Sequence, residues 1–313
     1  METISFVIPC YRSEQTLPAV LASIRETMAA HPSDAYEVVL VNDASPDGTW
    51  GVIRQACADD ARVSGISLVR NFGQHAALMA GLRQAKGDYV VCLDDDGQTP
   101  ASEAYLLIDK AREGFDGVYA AYHGKKHSAF RNFGSWVNSK MMEHMLGKPP
   151  ELYVSSYFVL ARRIVDEVVK YANPYPYVMG LVLRTTNKLT SVPVRHRERL
   201  AGRSGYTFGK LLGLWCNGFT AFSIKPLRIA TLMGALFALL GFGYAIYAFV
   251  NHLCNPGAPL GWTSLVIILL VLGGLILLVL GMMGEYLGRI YICLNNAPQY
   301  VVRERAGGRG REG

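Results

Sequence analysis

Tyr89-Val90-Val91-Cys92-Leu93-Asp94-Asp95-Asp96-Gly97-Gln98 carries a short apolar run straight into three consecutive carboxylates. The run is too short for a buried helix, and Gly87-Asp88 and Gly97 bracket it, so it reads as a buried strand with a polar end. Working outward, Ile4–Ile8 is a second such run and ends at Pro9-Cys10-Tyr11. Glu37–Val41 is a third, ending at Asn42-Asp43, and Val63–Leu68 a fourth. Between them lie segments of helical length. Thr16–Ala29 places Leu17, Val20, Leu21 and Ile24 on one face, followed by Trp50–Ala58 and Gln74–Gln84. Pro100–Arg112 reads as a further helix with proline in its first turn. Strands alternating with helices predict an α/β domain with a mostly parallel sheet covered on both faces. Ligands of such sheets bind beyond the C-terminal ends of the strands. The clusters Pro9–Tyr11, Asn42-Asp43 and Asp94–Asp96 all fall on that rim.

Hydropathy divides the 313-residue chain. Half the residues are hydrophobic, yet no Asp, Glu, Lys or Arg occurs between Arg228 and Glu285. Ile229–Val250 and Trp262–Gly284 are each long enough to span a bilayer. The joining segment Asn251–Gly261 contains no Lys or Arg. Lys225 and Arg228 precede the pair, and Arg289, Arg303, Arg305, Arg309 and Arg311 follow it. The positive-inside rule then puts both flanks in the cytoplasm. Met1–Cys10 lacks the basic start and long apolar run of a signal peptide, in agreement. The expected organisation is a cytoplasmic catalytic domain over 1–205, a helix over 206–225, a two-helix transmembrane hairpin over 226–288 and a cytoplasmic tail over 289–313. Leu211, Leu212, Leu214, Trp215 and Phe219 suit a helix lying on the membrane interface, or equally one packed on the soluble domain. Ala306–Gly313 reads as unstructured. The pattern from Gly117 to Arg203 is mixed and assigns no clear elements.

The formal charge of +6 suits phosphate ligands or an anionic membrane surface. Without a long basic run, nucleic acid is not an expected partner. Six scattered cysteines lack the close spacing of a zinc or redox site and read as free thiols. The chemistry concentrates at the acidic run. Alternation past a strand end puts Asp94, Asp96 and Gln98 on one side, an oxygen set that suits Mg²⁺ or Mn²⁺ with a diphosphate. Asp43, at another strand end, can accept a hydrogen bond from a base N–H.

Ile8-Pro9-Cys10-Tyr11, Val41-Asn42-Asp43 with Asp47-Gly48-Thr49, Arg70-Asn71-Phe72-Gly73 and Asp94–Gln98 occur in this order. Together they resemble the family 2 glycosyltransferases of the GT-A fold, in the branch that glycosylates polyprenyl phosphates. The resemblance covers roughly the first 225 residues, and the two spans match the bacterial members. It implies inverting, metal-dependent transfer from a nucleotide-sugar, with UDP favoured, to a polyprenyl phosphate such as undecaprenyl phosphate. The reaction would take place on the cytoplasmic face of the inner (plasma) membrane, in an enzyme that is plausibly a homotetramer. Carried over by position, Pro9, Tyr11, Asp43 and Asp95 would hold the nucleotide. Asp94, Asp96 and Gln98 would hold Mg²⁺ or Mn²⁺ and the diphosphate. Lys126, Arg131 and Ser135 would bind the acceptor phosphate, and Arg199 and Arg203 would close over the donor. Asp94, Asp96 and Arg131 are the expected catalytic residues.

The sequence departs from the family pattern in places. Arg12-Ser13 stand where Asn-Glu is common, with Glu14 one place late, and the late Gly-x-Ser-Lys pattern reads Gly202-Arg203-Ser204-Gly205. A processive polysaccharide synthase would need more spans and a Gln-x-x-Arg-Trp motif, which is missing. A non-catalytic nucleotide-sugar-binding scaffold would not need the acidic cluster.

Overall fold

The computed structural model describes residues 2–122, 143, 147–195, 225–254, 262–295 and 297–308. The chain forms two compact units, Met1–Thr207 with Asn296–Gly313, and Phe208–Asn295.

In the first unit β1 (Thr3–Cys10), β2 (Ala35–Asn42), β3 (Val63–Leu68) and β4 (Tyr89–Cys92) are the four strands expected from the apolar runs. They alternate with α1 (Leu17–Ala29), α2 (Thr49–Asp59) and α3 (Gln74–Gln84). A 3₁₀ turn at Ala101–Glu103 leads into α4 (Ala104–Arg112). That helix starts later than expected, because Pro100 is extended at φ −68°, ψ 121° and stands before the first turn. Then come β5 (Gly117–Tyr122), β6 (Phe158–Ala161), α5 (Arg162–Val168), α6 (Val178–Thr185) and β7 (Leu189–Val194).

With β8 at Val302–Gly307, the sheet order is β7-β5-β6-β4-β1-β2-β3-β8. β1 pairs in parallel with both β2 and β4, and β2 in parallel with β3. β6 runs antiparallel between β4 and β5. All of β1 from Ile4 to Cys10 is buried, as expected for a strand covered on both faces. On one face Ile4, Phe6, Ile8 and Cys10 share a core cluster with Leu17, Leu21 and Ile24 of α1 and Leu107 and Ile108 of α4. On the other face α3 packs so close that a Cβ on Gly81 would lie 2.4 Å from Val7 Cγ1.

The tail differs from its expected state. Val302–Gly307 forms β8, antiparallel to β3, and so Ala306 and Gly307 are ordered in the sheet. Its sequence, Val-Arg-Glu-Arg-Ala-Gly, has little apolar character, because an edge strand is held through its backbone more than through a buried face. The segment before it is anchored too. Gln299 Nε2 donates to Tyr171 O and Asn173 O, and Val69 N–H donates to Val301 O at 3.0 Å. The Arg83 guanidinium lies over the Tyr300 ring.

The second unit contains α7 (Lys225–Cys254) and α8 (Trp262–Leu294), of 30 and 33 residues. Both exceed the roughly 20 residues that cross a bilayer core. Leu239 and Phe242 of α7 and Leu269 and Leu277 of α8 are exposed, an arrangement that water disfavours and lipid accepts. Among the described residues, Val271–Leu294 alone is long and apolar enough to cross a membrane, at mean hydropathy 1.8. The apolar part of α7, Ala230–Tyr244, is shorter. The helix expected over 206–225 lies outside the described residues, apart from Lys225 at the start of α7.

A chain ending at Asn295 lacks β8 and uncovers the edge of β3. The Val69 amide is then expected to lose its protection in hydrogen exchange, with a lower Tm. Unchanged protection would show that β8 does not hold that edge.

Candidate active site

Three loops leave the sheet side by side, because β2, β1 and β4 are adjacent and parallel. After β1 the chain turns through Tyr11, Arg12 and Ser13. Tyr11 is 44% exposed, so its ring is available to a ligand, while Ser13 is buried. Arg12 has φ 59°, in the left-handed region. Pro9 lies within β1 and pairs with Val41 in the register, so its place at the rim comes from the strand itself.

After β2, Asp43 is buried and fully engaged with backbone. One carboxylate oxygen accepts the Phe72 N–H at 2.7 Å and the other the Gly73 N–H at 2.9 Å. Burial raises its pKa, and those two amides pull the other way. The carboxylate expected to meet a base therefore grips the Arg70–Gly73 loop that leads into α3. Gly73 takes φ 92°, which a side-chain-bearing residue rarely adopts. Glu14 also ties two loops together. Its Oε2 accepts the Gly48 N–H at 3.0 Å, and a Cβ on Gly48 would fall 2.5 Å from Oε1.

After β4, the three aspartates turn in different directions. Asp94 accepts from Gln74 Nε2 at 2.9 Å on one oxygen and from the Ser156 hydroxyl on the other. Asp95 Oδ2 accepts the Tyr11 N–H at 3.0 Å and the Ser13 hydroxyl. Asp96 Oδ1 accepts the backbone N–H of Gln98 at 3.0 Å. Burial pushes the Asp94 carboxyl up to about 6, and the charges of Asp96 and Asp95 add to the rise. Burial likewise raises the Tyr122 phenol, with the charges of Asp94, Tyr153 and Asp96 adding to the rise. Tyr122 meets Tyr153 edge-on at 6.4 Å.

These residues fit a divalent cation. The described residues contain no group of three or more His, Cys, Asp or Glu arranged for a metal. Mg²⁺ and its congeners, however, usually take one or two carboxylates together with substrate phosphates. Burial first, and then the charges of Asp96 and Asp95, raise Asp94, and a bound cation would favour its ionised form against both.

Reading the sequence missed Gln74, Ser156, Tyr122 and Tyr153. Gln74 was the easiest to find, since it follows Arg70-Asn71-Phe72-Gly73 and opens α3. Ser156 had no local sign: it reaches Asp94 because β6 runs antiparallel to β4. Lys126, Arg131, Ser135, Arg199 and Arg203 lie outside the described residues.

The mostly parallel sheet with its acidic rim is a GT-A fold. Residues 5–169 match the model for glycosyl transferase family 2, and residues 225–290 match the GtrB C-terminal hairpin. The chain belongs to glycosyl transferase family 2 and is a glycosyltransferase. It is 33% identical over 304 residues to the uncharacterized glycosyltransferase YkcC of Bacillus subtilis, covering 97% of this chain and 94% of that one. It is also 33% identical over 308 residues to the undecaprenyl-phosphate 4-deoxy-4-formamido-L-arabinose transferase of Aeromonas hydrophila, with the same coverage, 97% and 94%. Among solved structures it is similar in fold to Mycobacterium tuberculosis glucosyl-3-phosphoglycerate synthase in complex with Mn²⁺ and UDP-glucose. There the TM-score is 0.51 and the identity 20%, covering 74% of this chain and 78% of that one.

His75, next to Gln74, meets Tyr177 edge-on at 4.9 Å, and its buried Nδ1 has no hydrogen-bond partner among the described residues. Burial pulls its pKa down from 6.5 to about 4. As pH falls below 6.5 the unfolded chain takes up the proton first, so stability present above that pH is lost on the way down to about 4. His75→Phe keeps a ring against Tyr177 and does not titrate. Thermal unfolding followed from neutral to acid pH is expected to show a flatter loss for this variant. An identical profile would remove His75 from the acid limb.

Proposed function

We propose that the chain transfers a sugar from a nucleotide-sugar, taken as a UDP-sugar, to a polyprenyl phosphate, taken as undecaprenyl phosphate. The transfer takes place at the cytoplasmic face of the membrane, with inversion at the anomeric carbon. One observation carries this reading: carboxylates at the ends of β2 and β4, beside the exposed Tyr11 after β1, in a chain that also has a hairpin with exposed apolar faces. The Aeromonas relative, an undecaprenyl-phosphate 4-deoxy-4-formamido-L-arabinose transferase, supports the acceptor.

Chain connectivity supports the topology. β8 follows the hairpin, and β1 to β7 precede it, yet all eight strands share one sheet. That connectivity supports a hairpin whose two ends return to one side of the membrane. The basic flanks put that side in the cytoplasm.

The acceptor phosphate is already ionised near neutral pH, so no general base is needed. The difficulty is to bring two anions together. A bound Mg²⁺ or Mn²⁺ would neutralise the diphosphate leaving group. Asp94 and Asp96 would hold the cation, with Gln98 beside them, and Gln74 and the Ser156 hydroxyl keep Asp94 in one orientation. Tyr11 would present its exposed ring to the base. Lys126, Arg131 and Ser135 would receive the acceptor phosphate, and Arg199 and Arg203 would cover the diphosphate. A single displacement inverts the anomeric centre, and retention in the isolated product would sink it.

The test is transfer from a panel of radiolabelled UDP- and GDP-sugars to undecaprenyl phosphate, with Mg²⁺ or Mn²⁺ and with chelator. Label is expected in the lipid phase with one donor and to vanish with chelator. Asp96→Ala is expected to lower kcat/KM by about a hundredfold or more, the scale for losing electrostatic stabilisation of a leaving group. Full activity in that variant would overturn the metal assignment.

A further inference from the structure

The middle carboxylate of the acidic run faces away from its two neighbours' partners. β4 lies between β6 and β1 in the sheet. Asp94 leans toward Ser156, just before β6, whereas Asp95 leans toward the loop that leaves β1. Its Oδ2 takes both the Tyr11 N–H, at 3.0 Å, and the Ser13 hydroxyl.

The β1 loop needs such a tie. Its left-handed residue, Arg12, costs backbone energy that neighbouring contacts must offset. Each amide in the turn has its own acceptor. Tyr11 N–H goes to Asp95, Arg12 N–H to Ser45 Oγ at 3.0 Å and Ser13 N–H to Thr49 Oγ1 at 2.9 Å. Ser45 and Thr49 belong to the stretch after β2. Asp95 is therefore the acceptor that joins the β1 loop to the acidic loop, as Ser45 and Thr49 join it to the β2 loop. Ser13 is 1% exposed, so its hydroxyl has no water to replace that acceptor.

From this geometry we infer that Asp95 is a positioning residue. Together with Ser13 it sets the nucleotide-facing Tyr11 at a fixed distance from the cation-holding loop, and it touches neither nucleotide nor cation. This rests on the donor reading of the rim.

The prediction separates an acceptor oxygen from a ligand charge. Asp95→Asn keeps a carbonyl oxygen for Tyr11 and Ser13 and removes the charge, whereas Asp95→Ala removes both. Asp95→Ala is expected to raise the donor KM about tenfold with kcat within about twofold, the scale of one hydrogen bond to a charged group. Asp95→Asn is expected to recover most of that loss. Ser13→Ala combined with Asp95→Ala is expected to be no worse than Asp95→Ala alone, because the pair acts as one unit. In nucleotide-free protein, hydrogen exchange at the Tyr11 amide is expected to speed up in Asp95→Ala and stay slow in Asp95→Asn.

Equal losses in the asparagine and alanine variants, with the wild-type chain binding UDP, would make Asp95 a direct ligand and overturn the inference. An unchanged Tyr11 exchange rate in Asp95→Ala would overturn it as well. A wild-type chain that binds no nucleotide-sugar would overturn the donor reading and with it any positioning role, even if the exchange result held.

Discussion

β1 is hydrogen-bonded along both edges by strands that run the same way, β2 on one side and β4 on the other. The rest of the first unit depends on this. Parallel pairing with the registers Cys10↔Asn42 and Val7↔Cys92 brings three chain exits to one rim. It also requires crossover helices, which cover both faces and exclude water from the strands. With Ile4, Phe6 and Ile8 packed on one face and Val7 against α3 on the other, a one-residue slip would carry every side chain into the opposite layer and break both packings. The loops are thus attached to a rigid base.

The rim itself is electrostatically unfavourable. Three adjacent carboxylates repel one another, and burial adds to the cost, as the raised Asp94 and Asp95 record. The protein manages this by giving each one separate donors: Gln74 and Ser156 to Asp94, the Tyr11 amide and Ser13 to Asp95, the Gln98 amide to Asp96. What remains is a cluster of carboxylates, each held by its own donors, on one rim of the sheet. A network of this kind keeps the acidic groups apart in direction while holding them close in space.

Connectivity adds a second constraint. The chain leaves the first unit for the apolar hairpin and returns to complete the same sheet with β8. Val301 accepts the amide of Val69, the residue immediately before the loop that Asp43 holds through Phe72 and Gly73. The returning segment is therefore part of the framework that carries the rim loops, beyond its service as a tail to the hairpin.

The amino-acid sequence by itself determined the four central strands, the helices α1 to α3, the rim and the two long apolar helices. Each of these is a local matter of periodicity, strand-end polarity or uninterrupted hydropathy. It also singled out Tyr11, Asp94, Asp96 and Gln98, because a carboxylate run after a buried strand is visible in one dimension. Only the tertiary structure decided the partners. Asp43 holds backbone amides of residues 29 and 30 positions away, and Asp94 meets a serine 62 positions away. β6 and β8 carry no periodicity of their own, since one is a four-residue buried strand and the other a polar edge. Their places follow from backbone hydrogen bonds to β4 and β3, and a hydrogen bond between distant segments leaves no pattern in either of them.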